Sequence, residues 1–331
     1  MVSTLCYIIL PVVFIIGLLR KCREYSWGKC RNVKNLNGRI FIVTGANSGI
    51  GKETAKELAK RKATVIMACR NVQNVRKAIA EIRTEVTSGE LIPMELDLAS
   101  LKSIREFATQ VLHEFSEIHV LINNAGVYVP LKEQAFTENG FEVHFGVNHL
   151  GHFLLTYLLL ERLKASAPSR VVIVTSKLLE SGTIDFSNLN GEKGLATEGR
   201  MNPSYCNSKL ANAYFGFELA KRMKGTGVCV YMVCPGFTYT GLFRHVKRSW
   251  LHYIIFSPIA LLYLRTANQG AQTVVHCATN FSASIENGKI YRDCKLYEPK
   301  MKLDPEVAVK LWDVSAKLTE ISDFDTAGLA S

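Results

Sequence analysis

Tyr205 and Lys209 stand four residues apart in Ser204-Tyr-Cys-Asn-Ser-Lys209. On a helix that spacing puts both on one face, one turn apart. An ammonium at that distance favours the phenolate, so the tyrosine would exchange protons well below its ordinary pKa of about 10. Such a pair recurs by chance in many helices. Far upstream, however, Thr44-Gly-Ala-Asn-Ser-Gly-Ile-Gly51 is a glycine-rich turn. The two together suggest proton transfer beside a hydride carrier.

The elements around that turn are those a dinucleotide needs. A short apolar run, Arg39-Ile-Phe-Ile-Val43, leads into it, and helical spacing follows from Gly51 to Lys62. Glycines let the backbone approach a pyrophosphate, and a helix N-terminus offers free N–H groups and a favourable dipole. Gly45, Asn47, Ser48, Gly49, Ile50 and Gly51 are the candidate cradle. An acidic residue closing the second strand would grip the ribose of NAD. This chain has Cys69-Arg70-Asn71 there. The Arg70 guanidinium suits a 2′-phosphate, so NADP(H) is the expected cofactor. Arg70 as a plain surface cap on the strand would leave the choice open.

Further along, apolar strand-like runs alternate with helical stretches. The strands are read at 64–69, 91–96, 119–122, 170–175 and 228–233, and long helices at 140–164 and 203–224. Near-continuous apolar strands between helices imply a parallel sheet covered on both faces. The expected fold is therefore α/β, a Rossmann-type doubly wound sheet with its ligand site at the carboxyl ends of the strands. Asp304-Pro305 opens a last helix, assigned to packing, that runs to about Leu318.

Charge and composition narrow the partners. Of the 331 residues 48% are hydrophobic, enough for a sizeable core. Residues 1–39 hold Arg20, Lys21, Arg23, Lys29, Arg31, Lys34 and Arg39 against Glu24 alone, so more than half of the formal net charge of +11 sits there. The rest lacks the basic, aromatic-interleaved stripe of a nucleic-acid binder. Nine cysteines with no Cys-x-x-Cys and no histidine at ligand spacing give no metal site. Met1–Leu19 carries no charged side chain, and as a helix would reach about 28 Å, near the thickness of a hydrocarbon core. With basic residues following it, this segment predicts a membrane anchor and a cytosolic body. A buried core helix and a hairpin dipping into one leaflet at Pro11 are the alternatives. The expected division is anchor 1–20, basic juxtamembrane linker 21–38, one catalytic domain 39–300, and C-terminal helix and tail 301–331.

The ordered set Thr44-Gly-x3-Gly-Ile-Gly51, Asp97, Asn123-Asn-Ala-Gly126, Asn148, Ser176, Tyr205-x3-Lys209 and Pro235-Gly236 resembles the short-chain dehydrogenase/reductase family over residues 37–300. Phe145-Gly-Val-Asn-His-Leu-Gly-His-Phe-Leu-Leu-Thr156 and Ser208-Lys-Leu-Ala-Asn212 are similar to its retinol dehydrogenase 11–14 branch, and Ala167-Pro-Ser-Arg170 and Ser176-Lys-Leu to the retinol dehydrogenase 14 pattern. The resemblance implies a general acid/base in Tyr205, and in Lys209 a group that tunes it and holds the nicotinamide ribose. It implies that Ser176 bonds the substrate oxygen and that Asn148 holds a water leading from Lys209 to solvent. Asn124, Ala125 and Gly126 would line the cofactor cleft, Asp97 and Leu98 would meet the adenine, and Thr240, after Pro235 and Gly236, would reach the phosphates or the amide. Cys234 departs from the branch, where histidine is usual, and the interval from Ser176 to Tyr205 is a few residues longer.

The expected activity is interconversion of retinol and retinal, or of a related lipophilic alcohol and carbonyl, favouring reduction. A steroid or fatty-aldehyde reductase and a non-enzymatic NADP-binding membrane scaffold are the rivals. Trp250–Leu264 is apolar and aromatic beside the basic run 244–248, as in a lid touching a bilayer, with core packing the plainer alternative. The endoplasmic reticulum is the expected membrane, with mitochondrion and lipid droplet as alternatives; a homodimer is compatible with the sequence.

Overall fold

A computed structural model describes residues 2–194, 201–238, 260, 262–280 and 286–321. The apolar runs become seven parallel strands: β1 Ile40–Thr44, β2 Thr64–Cys69, β3 Glu90–Glu95, β4 Val120–Asn123, β5 Ser169–Val174, β6 Val228–Cys234 and β7 Lys289–Arg292. A short β8, Lys295–Leu296, turns back antiparallel on β7. The order is β3-β2-β1-β4-β5-β6-β7-β8, so the winding reverses between β1 and β4. A crevice opens at such a reversal, outside the carboxyl ends of the strands. Pro93 sits in β3, which as an edge strand tolerates the missing donor.

Helices cover both faces, as continuously apolar strands require. On one side lie α2 Gly49–Lys60, α3 Val72–Arg83 and α7 Ala267–Thr279, closing a core around Phe41, Val43, Val65 and Val274. On the other lie α4 Leu101–Glu114, α5 Gly151–Ala165 and α6 Pro203–Arg222, over Ile42, Leu121, Val171 and Met232. The last helix, α8 Pro305–Leu318, starts at the Asp304 cap and packs on α6. Its Trp312 lies edge-on to Phe153 with centroids 4.9 Å apart, and Ser315 meets the buried ring of His149 at 2.9 Å.

One segment is held more closely than its polar composition suggests. The segment after α1 (Val2–Ser26) is not a free linker. It runs as a strap over α7: the Cys30 amide donates to Gln272 Oε1 at 3.1 Å, and the Leu36 amide to the Arg61 carbonyl at 2.7 Å. Gly28 lies so close to the β7–β8 turn that a Cβ there would overlap the Asp293 carbonyl. The hairpin itself has Asp293 and Cys294 at φ +55° and +56°, where a glycine would be the usual signal, so the sequence does not advertise it. Among the described residues no helix is long and apolar enough to cross a membrane. Of the apolar stretch expected at 250–264, residues 250–259 and 261 lie outside the described residues.

Candidate active site

At the reversal point β1 ends in a turn that only glycine can make. Gly45 has φ +66°, and a Cβ on it would come within 2.9 Å of the Ala125 Cα. A Cβ on Gly51 would lie 2.5 Å from the Gly45 carbonyl oxygen and 2.6 Å from Asn124 Nδ2. The turn is therefore pressed against the loop that follows β4. Ser48 caps α2 without a side-chain hydrogen bond, so no side chain at its cap takes the first-turn N–H groups. Such a terminus attracts an anion. A tight backbone cradle plus an uncapped helix start fits a pyrophosphate.

Thr44 holds the two loops together. Its Oγ1 accepts the amides of Asn124 and Ala125, each at 2.9 Å, and Asn124 Nδ2 donates to the Thr44 carbonyl at 2.8 Å. The buried ring of His152 meets Thr44 Oγ1 at 2.9 Å through Nε2, and the Asn148 carbonyl at 3.0 Å through Nδ1. A carbonyl can only accept, so Nδ1 carries the proton and Thr44 donates to Nε2. Burial pushes the imidazole down to about 3, which keeps it neutral. The sequence motifs that include Thr44 and His152 give neither this role; a threonine in a strand and a histidine in a helix read as packing.

The cleft outside these loops measures about 800 Å³ and is lined by every residue of the candidate cradle. Arg70 is exposed on its rim beside Asn71, whose side chain caps α3 at the Asn74 amide. Asp97 and Leu98 line it too; Asp97 Oδ1 accepts the Ala99 amide at 2.9 Å, the turn-forming role open to any aspartate there. Asn124, Ala125, Gly126, Pro235 and Gly236 complete the set. Thr240 lies outside the described residues.

Tyr205 and Lys209 enter the same cleft from the first two turns of α6, which begins at the Asn202 cap and Pro203. Tyr205 is 4% exposed, packed edge-on against Tyr128 at 5.3 Å and His144 at 6.0 Å. His144 is fixed in turn: Nε2 accepts the Val129 amide at 2.9 Å, so Nδ1 donates to the Glu142 carboxylate at 2.6 Å. Lys209 Nζ donates to the Val174 carbonyl at 3.1 Å and lies 5.7 Å from the Tyr205 ring centroid. The expected acidification of Tyr205 by Lys209 is not what this arrangement produces. Burial pushes the phenol above its ordinary range, and pushes Lys209 down to about 8. Desolvation favours the neutral form of both, and it outweighs an ammonium aimed at a carbonyl rather than at the phenol oxygen.

Ser176 and Asn148 are placed differently. The Ser176 hydroxyl accepts the Leu178 amide at 3.2 Å, capping the 3₁₀ turn Lys177–Ser181, and Thr175 rather than Ser176 lines the cleft. Asn148 is fully buried in the π-helical turn His144–Leu150, a kind of turn frequent at functional sites. Its side chain clamps Val127 through both amide and carbonyl and donates to Ser208 Oγ at 3.0 Å. It touches the site through Gly126, where a Cβ would lie 3.4 Å from Asn148 Oδ1 and 3.6 Å from Lys209 Nζ. Val129, Phe136, Val143, Val147 and Phe237 add an apolar part to the lining of the cleft. Among the described residues no group of His, Cys, Asp and Glu could hold a metal ion.

Comparison with known proteins bears on the family and the fold. The short chain dehydrogenase family matches residues 39–250. Human retinol dehydrogenase 12 is 46% identical over 300 residues, spanning 90% of this chain and 91% of its own. Human retinol dehydrogenase 14 is 43% identical over 298 residues, spanning 85% and 86%. Among solved structures, an uncharacterized protein from Mycobacterium Paratuberculosis superposes with a TM-score of 0.67 at 32% identity, over 89% of this chain and 98% of its own. The Pseudomonas aeruginosa RhlG/NADP active-site complex shares the fold with a TM-score of 0.62 at 22% identity, over 77% and 94%.

Proposed function

Since the chain belongs to the short-chain dehydrogenase/reductase family, we propose that it is a membrane-attached, NADP(H)-dependent oxidoreductase that interconverts retinol and retinal, working mainly as a reductase. The observation that carries this reading is the meeting of Tyr205 and Lys209 with the glycine cradle in one cleft. The human relatives are retinol dehydrogenases, and the apolar wall at Val129, Phe136, Val143 and Val147 suits a polyene.

The cofactor, when bound, supplies or takes up the hydride. The rest falls to the chain's own residues. The α2 N-terminus and the Gly45–Gly51 turn hold the pyrophosphate, Arg70 the 2′-phosphate, and Lys209 the nicotinamide ribose. Tyr205 is kept protonated by burial, so in its resting form it is a proton donor rather than a base. It gives its O–H proton to the carbonyl oxygen of the substrate as that oxygen becomes an alcohol. The Lys209 ammonium on the same helix face steadies the phenolate left behind. Ser176, just after β5, supplies a hydroxyl to the developing oxyanion, since it only accepts from the Leu178 amide whereas the Thr175 hydroxyl donates to the Lys209 carbonyl at 2.7 Å. Asn148, with Lys209 across Gly126, holds the route by which Tyr205 is reprotonated.

Attachment to a membrane is supported by α1. Tyr7, Leu10, Phe14 and Leu18 all stand exposed along it, and Arg20, Lys21 and Arg23 follow at its end. We place the body on the cytosolic side of the endoplasmic reticulum, as basic residues after the apolar stretch imply.

The test is a matched assay on membranes carrying the full chain. Retinal, steroid ketones and alkyl aldehydes are offered with NADPH or NADH, and retinol with NADP⁺. Retinal with NADPH should turn over fastest. Arg70→Ala should cut the preference for NADPH over NADH about tenfold, as loss of a charge-assisted hydrogen bond does. No turnover with any pair would leave only a nucleotide-binding scaffold.

A further inference from the structure

Arg265 is charged, 4% exposed and outside the set of residues the reaction uses. A buried charge persists only where it is paired and bonded. Its Nη1 forms an ion pair with Asp293 at 2.6 Å and donates to the Pro235 carbonyl at 3.3 Å. Its own amide donates to the Phe237 carbonyl at 2.8 Å, and Thr238 pairs with it as an isolated β-bridge. Gly236, at φ +83°, packs directly on the guanidinium, where a Cβ would come within 2.6 Å of the central carbon. Pro235, Gly236, Phe237 and Thr238 all line the cleft. Arg265 is thus what this stretch of the rim rests on.

The other side of Arg265 faces the base of α1. The guanidinium lies 4.9 Å from the ring centroid of Trp27, and the Arg20 guanidinium lies 4.7 Å from the same ring. Arg20 Nη1 also donates to the Leu264 carbonyl at 2.7 Å, and Arg23 sits over Tyr263 at 3.8 Å. Trp27 adjoins Gly28, whose contact with the Asp293 backbone leaves no room for the strap to slide. Cations over an indole face at these distances attract it.

We infer that Trp27 and Arg265 form a positioning link, which carries the seating of the α1 base to the Pro235–Thr238 rim and so sets the affinity of the cleft for nucleotide. The link rests on the reading that this cleft takes NADP(H). Neither residue touches the reacting atoms, so its signature is binding rather than turnover. A chain whose α1 is lifted from its seat would bind nucleotide weakly with its chemistry intact.

Two measurements on the full chain decide it. In the nucleotide-free protein, hydrogen exchange at the Arg265 amide reports whether the rim is held, with β5 amides as the control for global folding. NADPH titration by fluorescence gives Kd. Trp27→Leu, which keeps apolar bulk without the π face, should speed exchange at Arg265 and raise Kd three- to tenfold, about the worth of one cation–π contact, with kcat at saturating NADPH within about twofold of the parent. Trp27→Phe should restore both. Unchanged Arg265 exchange in Trp27→Leu would overturn the link, as would faster exchange with Kd unaltered. A parent chain that binds no NADPH would sink the nucleotide reading, while the exchange result still decides whether Trp27 holds the rim.

Discussion

Along the β1–α2 wall of the cleft the working groups are main-chain atoms, whereas along the α6 wall they are buried side chains. The first wall is shaped by what is missing: Gly45 and Gly51 have no room for a Cβ, and Ser48 leaves the helix start uncapped by any side chain. The second is shaped by what is present: Tyr205 between Tyr128 and His144, Lys209 on the Val174 carbonyl, Asn148 clamping Val127. A backbone cradle holds any ligand with the right phosphates and is spoiled by added atoms. A side-chain wall performs chemistry and is spoiled by removed ones. Mutations in the two walls should therefore separate binding from turnover.

The largest separation is expected from Tyr205→Phe. It deletes one oxygen from the second wall and leaves its ring contacts with Tyr128 and His144 in place. Loss of a positioned proton donor should lower kcat for retinal reduction by about 10²- to 10⁴-fold. NADPH binding, measured by fluorescence titration, should change little. A variant retaining more than a tenth of the parent rate would show that another group gives the proton.

How far each wall can be read in the sequence follows from the same contrast. The cradle is legible because a need for absent Cβ atoms leaves glycines at fixed spacing after a strand, a local signal. Tyr205 and Lys209 are legible because both lie on one helix, four residues apart. What escapes depends on contacts between distant segments. The π turn at His144–Leu150 reads as ordinary helix. The bond from the Val129 amide to His144 and the Thr44–His152 bond join separated residues whose types alone suit a core. The strap at Trp27–Leu36 looks like a polar linker until its amides meet α7 and Arg61. β7 and β8 are too short, and their turn too unusual in residue type, to stand out. The upward shift of Tyr205 runs against the sequence expectation for a physical reason. Helix spacing gives the nearness of the ammonium but not the depth of burial, and burial dominates.

Gly51→Ala probes the first wall with an intermediate effect. The added methyl would meet the Gly45 carbonyl and Asn124 Nδ2, and Asn124 cannot retreat without breaking its hydrogen bond to the Thr44 carbonyl. Overpacking of this kind costs about 1–3 kcal/mol. Part should appear as lower thermal stability and part as Kd for NADPH raised about tenfold, while kcat at saturating NADPH stays near the parent value. A drop in kcat with Kd preserved would erase the division between the walls.

The smallest effect is one of pH, and it sharpens the contrast because one variable acts on both walls. Lys209 is pushed down to about 8 by burial, so it loses its proton inside the range where the protein can be assayed. The protonated form is the one that steadies the Tyr205 phenolate, so retinal reduction should be at its plateau below about pH 8. It should fall as pH rises through that value, by at most about tenfold per unit for loss of one proton. Main-chain N–H groups do not titrate there, so the pyrophosphate cradle keeps its hold. Kd for NADPH, which rests on this cradle and on Arg70 as well as on the Lys209 contact with the ribose, should therefore drift less than kcat across the pH unit on either side of the Lys209 value. Lys209→Met should be slow at every pH and should lack the falling limb, since the group that creates it is gone. A limb that survives in that variant would assign the titration, and with it the steadying of the Tyr205 phenolate, to another residue of the α6 wall.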